Sequence, residues 1–368
     1  MVSKAVSEQN LKTKGTVFYF YESVIPPLTD DQVCLLYEER PLQPDAFRKV
    51  QTIVLPQLTS TPDSSDLQPY LFYYPFGYTF VQLSFKFSLS GSSKAEKQSL
   101  FALVKEMKDK NDLHANTLFS WLSSKLSLPF TKEQPHSNYI IITLDQFDGD
   151  GVESNQQMLG FFQKTVCSIS VKKNKNNLSC REHEPIRITI KTRDIISLES
   201  YHGIIVTKPK NINSYLSTIL FSLALDQRLE AIENELEKQR REALPFARYT
   251  GKATYKSLTM YEKFREGSTK IHSQALEFVE LSKCISSPNS VVPESQEFNN
   301  KIHSAFKETY QFENRKDVVD NYIETLQDLF DICCDRVSEF KYFFYEAILE
   351  IIIVVILVAE LVAIIFEK

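Results

Sequence analysis

Glycine is scarce, with nine residues in 368. That leaves little material for loops that cradle phosphates, and neither Gly-x-Gly-x-x-Gly nor Gly-x-Ser-x-Gly occurs. Thr250-Gly251-Lys252 has the ending of a phosphate loop, but Phe246 stands where its first glycine belongs. No Cys-x-x-Cys is found among Cys34, Cys167, Cys180, Cys284, Cys333 and Cys334. Cysteines scattered over a chain of this length are expected to be reduced, intracellular thiols. An excess of positive charge is also missing: the net charge is −5 and the pI is near 5.8. This argues against the broad basic surface of a general nucleic-acid binder, so no direct nucleic-acid partner is expected. The opening residues contain no apolar signal core and no arginine, and they include Glu8. A secretory signal or a mitochondrial presequence is therefore not expected.

Metal-ligand patterns are equally thin. Cys180-Arg-Glu-His183 is half of a zinc spacing without the other half, and His114, His136, His202, His272 and His303 are scattered. The stretch from Asp145 to Glu153, DQFDGDGVE, has the look of a calcium loop but not its spacing. An EF-hand needs oxygen ligands at alternate positions and a Glu at position twelve. Counted from Asp145, position three is Phe147 and position five is Gly149; counted from Asp148, position twelve is Leu159. A polar turn after a strand is the expectation, with no cofactor and no metal.

Aromatic residues are plentiful, at 26 Phe and 17 Tyr, which suits strands and a thick core. Thr16-Val-Phe-Tyr-Phe-Tyr21 is a strand run, and residues 33–37 and 50–55 are shorter strand candidates. Residues 70–91 hold two aromatic arms around Pro75-Phe76-Gly77, where glycine closes a turn, so a hairpin is predicted. Its second arm alternates Val81, Leu83, Phe85 and Phe87 with Gln82, Ser84, Lys86 and Ser88, the period of a half-buried strand. Residues 94–128 read as helix, residues 138–144 (NYIIITL) as strand, and 186–191 and 202–207 as strands around a turn. Residues 158–166 fit a short helix or strand. Mixed strands followed by helices point to an α+β class rather than a doubly wound one.

After Pro209 the chain turns helical. Helices are expected over 213–243, stopped by Pro245, and over 255–283, then from 296 to the end of the chain after a Ser/Pro/Val linker. The domain division is a flexible start at 1–13, a mixed-sheet head at 14–210, and a helical or coiled-coil region at 211–345 with its linker near 284–296. A membrane anchor follows at 346–368. In the last helix Val319, Ile323, Leu326, Phe330, Cys333, Val337, Phe340 and Phe344 step by alternating fours and threes. That is either an oligomer seam of heptads or the buried face of a bundle helix.

The same helix runs into residues 347–366, AILEIIIVVILVAELVAIIF, in which 18 of 20 residues are apolar. At about 1.5 Å per residue it reaches roughly 30 Å, the thickness of a bilayer's hydrocarbon. About 15 strongly apolar residues, at −0.3 to −0.6 kcal/mol each, outweigh a central charge costing about 3 kcal/mol by a modest margin. A single pass with the bulk on the side of synthesis is expected, and Arg336 and Lys341 before the run agree with it. The rival is a soluble oligomer with the run as its core. Ile351, Val355 and Leu361 are the lipid or packing positions. Glu350 and Glu360, with Glu346 and Glu367, share one stripe about 100° wide and are expected to orient the anchor against a neighbouring helix.

Leu349-Glu350 is followed by a second acid at Glu360, and upstream stand Ser222-Leu-Ala-Leu-Asp-Gln227 and Thr250-Gly251-Lys252. With the segment 310–321 and the hairpin residues 72–81, these motifs together resemble the "required for meiotic nuclear division" family. The tryptophan that the family places after Leu-Glu is Ile351 here. The resemblance implies a membrane-tethered, oligomeric, non-enzymatic protein with no catalytic residues to carry over. It implies a role in mitochondrial translation or in meiosis and sporulation, and a ribosome or membrane protein as partner. Location at the mitochondrial inner membrane follows from the resemblance, and at a cytosol-facing endomembrane or the nuclear envelope from the missing presequence. The functional expectation is thus a self-associating, tail-anchored scaffold or tether. The alternative is a membrane-bound enzyme with an acidic site between Asp145 and Glu153.

Overall fold

The computed structural model describes residues 13–24, 51–54, 69–74, 76–89, 94–127, 139–145, 186–190, 194–199, 202–208, 211–249, 260–286 and 297–366. The predicted strand at 33–37, the element at 158–166, residues 146–153, Cys180, His183, residues 250–252 and the linker from 287 to 296 lie outside them. The described chain forms two compact units, one of residues 1–228 with 283–312 and one of 229–282 with 313–368.

The first unit is built on an eight-stranded mixed sheet, in agreement with the α+β expectation. Its strands are β1 (Thr13–Val24), β2 (Gln51–Val54), β3 (Tyr70–Tyr74), β4 (Tyr78–Leu89), β5 (Tyr139–Asp145), β6 (Ile186–Ile190), β7 (Asp194–Glu199) and β8 (His202–Thr207). The spatial order is β2-β3-β4-β1-β5-β8-β7-β6. All neighbours are antiparallel except β5 and β8. The β3–β4 hairpin turns where the sequence places it: Gly77 sits at φ 81° and its N–H donates to the Tyr74 carbonyl at 3.0 Å. Gly15 serves a different need, since a Cβ there would strike the Thr143 carbonyl oxygen and the Phe87 ring.

Helix α1 (Lys94–Leu126) covers one face of the sheet. Val17, Tyr19 and Tyr21 of β1 join Val104, Leu118 and Leu122 of the helix in one buried cluster. The Tyr19 hydroxyl donates to the Val104 carbonyl at 2.7 Å and the Tyr21 hydroxyl to Asp112 at 2.8 Å. The other face carries Phe20, Tyr74 and Phe80, and Phe221 of α2 (Ile212–Ala243) packs on Tyr74 at 6.2 Å between ring centroids. Because both faces are covered, β4 is half-buried only in part. Thr79 and Gln82 near the turn are buried, whereas Lys86 and Ser88 further along are exposed. The alternation read from the sequence holds in the outer half of that strand.

The second unit contains the rest of α2, a 3-10 turn (Leu244–Tyr249), most of α3 (Tyr261–Ser286) and most of α5 (Phe312–Phe366). The expected unbroken helix from 296 is divided. Helix α4 (Glu297–Thr309), which belongs to the first unit, ends at a cap before α5 begins. Gln311 takes a left-handed φ of 52°, and its N–H donates to the Glu308 carbonyl at 3.3 Å. The rings of Phe306, Tyr310 and Phe312 stack across the break at 5.4 and 6.0 Å. From Phe312 on, the seam segment and the apolar run form one continuous helix of 55 residues, about 82 Å long. Among the described residues, no helix is long and apolar enough to cross a membrane. The segment expected to span is present as helix but does not meet that requirement over its described side chains, which stop at Ala363.

Candidate functional site

Helix α5 carries two kinds of surface. In its first part Val319, Ile323, Leu326, Phe330, Cys333 and Val337 are all buried within the single chain. Their partners come from α2 and α3. Phe246, in the 3-10 turn, touches Phe264 of α3 at 5.0 Å and Phe330 at 6.3 Å. Gly267 of α3 leaves room for the Phe330 ring, which a Cβ would overlap. The Cys333 thiol donates to the Phe246 carbonyl at 3.6 Å, and burial, with Cys334 beside it, pushes that thiol up to about 11.

Polar contacts fix the register. Arg315 donates to both carboxylate oxygens of Glu233, at 2.9 and 3.1 Å, and both side chains are largely buried. This fork holds two charges that neither helix would tolerate alone at that depth. Ser268 donates to Asp331 at 3.0 Å, and Lys270 donates to Glu235 at 2.6 Å. That hydrogen bond from Lys270 is the main reason the Glu235 carboxyl lies below its ordinary range. The heptad positions expected to bind a second copy are thus occupied by the chain's own helices from Val319 to Val337. Phe340 and Phe344 are half-buried and stack on each other at 6.5 Å.

The helix changes at Lys341, whose ammonium lies 5.8 Å from the ring of Tyr261 at the start of α3 and 5.9 Å from that of Tyr345. Four aromatic residues follow, and Tyr342, Phe343 and Tyr345 are exposed. Aliphatic residues come next. Leu349, Ile352, Val355, Val358 and Leu361 step by three residues, so at 100° per residue they spread over about 240° of the circumference. They are 49 to 60% exposed. Ile351 is equally bare at 63%. Glu346, Glu350 and Glu360 occupy the remaining arc and are exposed as well.

A helix apolar round most of its circumference has no solvent face; such helices belong in a core or in lipid. A one-sided partner would leave most of this surface in water. Of the aromatics here, only Phe340 and Phe344 lie on the heptad step, so the hydrophobic periodicity does not mark the collar. Its signal is the order of residue types: a lysine, four aromatics, then aliphatics, as at a membrane interface.

Of the proposed acidic site, only Asp145 is described; it ends β5, opposite Thr207 of β8. Among the described residues, no three His, Cys, Asp or Glu side chains converge as metal ligands.

No protein-family model matches the chain, and no curated protein does. Among solved structures, the complete CorA magnesium transporter from Methanocaldococcus jannaschii is similar at 10% identity and a TM-score of 0.24. That match spans 62% of this chain and 78% of the transporter. The soluble domain of CorA from the same organism is similar at 10% identity and a TM-score of 0.20, over 55% of this chain and 89% of that one. Neither score reaches the level at which a shared fold follows.

Proposed function

We propose that this protein is a non-enzymatic membrane tether, held in a bilayer by the second half of α5. The observation that carries the reading is the bare apolar surface from Leu349 to Leu361, exposed around most of the helix and preceded by an aromatic collar. The described side chains of the run, 347–363, number 17 and measure about 26 Å. As backbone the helix continues to Phe366, which brings the apolar stretch to 20 residues and about 30 Å, enough for a single span. Lys341 and the collar would sit at one interface, with Ile351, Val355 and Leu361 in hydrocarbon. Glu350 lies one turn inside the span and can reach the interface, whereas Glu360 lies too deep for a short side chain to reach water easily, so the acidic stripe faces a neighbouring helix in an oligomer.

The family resemblance supports the same reading and supplies a partner class, a ribosome or a membrane protein, for the parts outside the bilayer. It also supplies the membranes to examine, the mitochondrial inner membrane and cytosol-facing endomembranes or the nuclear envelope.

Flotation with liposomes and extraction at alkaline pH test the anchor. The full-length protein is expected to float and to resist alkaline extraction, and a chain ending at Phe340 is expected to do neither. A full-length protein that washes off, or runs as a water-soluble particle without detergent, would overturn the tether and favour the run as the core of a soluble oligomer.

A further inference from the structure

A second feature, independent of the anchor, lies in the first unit. His303 on α4 is only 6% exposed and sits among aromatic rings: Phe221 of α2 at 5.9 Å and Phe312 at 6.3 Å between centroids. Its Nδ1 lies 3.3 Å from the Ser222 hydroxyl oxygen. That hydroxyl already donates to the Thr218 carbonyl at 3.0 Å, so toward the imidazole it acts as an acceptor. The Ile285 backbone favours the protonated ring, but by less than burial and the Lys307 charge oppose it. Nδ1 therefore carries the proton, and Nε2 is a bare lone pair. Among the described residues Nε2 has no hydrogen-bond partner.

The other nitrogen is thus the one that takes up a second proton. Among the described residues an N–H at Nε2 finds no acceptor, and the new charge would sit among aromatic rings. The surrounding ionisable groups do not relieve this. Lys307 on α4 is the charge that acts on the ring, and its sign opposes protonation. On α2, Asp226 follows Ser222 by one turn; at the end of α3, Cys284 is buried next to Ile285; β6, against which α4 packs, offers the exposed Arg187. Tyr310 stacks on Phe306 and Phe312 at the cap.

We infer that His303 is an acid-operated latch: protonation at Nε2 releases α4 from its seat on α2 and β6. Helix α4 is suited to local opening, since it has only 13 residues and is anchored by Ile302, His303 and Phe306. Burial holds the imidazole down to about 4, against an ordinary 6.5. A lowered value means that the docked state is fully favoured above about pH 6.5 and loses ground as the pH falls toward 4.

The test is hydrogen–deuterium exchange of residues 297–312 in the full-length protein, from pH 7 to 4.5, with rates corrected for chemical exchange. The opening constant of this segment is expected to rise by roughly 60-fold over that range. His303→Phe, which keeps the ring and removes the proton site, is expected to abolish the rise. A wild-type rise below about threefold, or the same rise in His303→Phe, overturns the latch. Should that variant not fold, titration of the His303 ring by NMR decides. A midpoint near the ordinary value, with α4 still protected, overturns the proposal; a midpoint well below it, with loss of protection at the same pH, supports it.

Discussion

The two halves of α5 share one helix, one heptad step and a similar supply of large apolar side chains. They nevertheless meet different surroundings. From Val319 to Val337 the residues of the heptad step keep to one face and are buried, with Ile332 exposed between them, whereas from Tyr345 to Ala363 the apolar residues wrap the helix and are exposed. The spacing of hydrophobic residues therefore does not identify the partner. What separates the halves is the opposite face: Glu324, Asp328, Asp331 and Asp335 face water in the first, while Ile352, Val355 and Ile356 occupy corresponding parts of the second.

Substitutions sharpen that contrast. Phe330→Ala empties a buried site in the first half and is expected to cost about 3–5 kcal/mol, read as a lower unfolding midpoint in denaturant. Val355→Ala, in the second half, is expected to leave that midpoint unchanged. If both shift it alike, the halves are not distinct. Val355→Arg tests the bare half directly. A charge near the centre of the run costs about 2.5–3.5 kcal/mol of insertion, so the floating fraction in a liposome gradient should fall sharply while bundle unfolding stays the same.

Gly267→Ala probes the fit around Phe330. Alanine in a helix ordinarily gains about 1 kcal/mol over glycine, yet here its Cβ meets the Phe330 ring, and a net loss of about 1–2 kcal/mol is expected. A gain in melting temperature would show that the ring moves freely. The smallest effect is expected from Lys270→Met. The lysine lowers the Glu235 carboxyl, so its contribution is present above the ordinary carboxylate range and disappears as the pH falls through it. Both side chains are well exposed, which limits the change to below about 1 kcal/mol. Stability measured at pH 7 and pH 3 should differ slightly less in the variant than in the parent.

Much of this architecture is legible in the residues. The hairpin follows from Pro75-Phe76-Gly77 between aromatic arms, and the buried face of α5 from the alternating fours and threes. The break at Gln311 is not legible, because a glutamine rather than a glycine or asparagine takes the left-handed position and stacked aromatic rings hold it there. Burial of Thr79 and Gln82 is hidden as well; a polar residue on an alternating strand reads as a water-facing one until a second helix covers it. The filling of the seam by the chain itself depends on Gly267 and Phe246, which lie 63 and 84 residues away from Phe330. For the proposed anchor, the composition is legible, whereas the collar is four consecutive aromatics of which only Phe344 falls on the heptad step, so periodicity does not pick it out.

The burial of Cys333 has a practical consequence. A thiol held near 11 is about one part in a thousand thiolate at pH 8, and its sulfur is enclosed beside Phe246, so alkylating reagents are expected to pass it by while the helices stay packed. Cys334, the next residue, is half-exposed on the same helix. The neighbouring pair is a built-in clock: the rate at which Cys333 becomes alkylated, set against Cys334, times how often this part of the bundle opens, with no residue substituted.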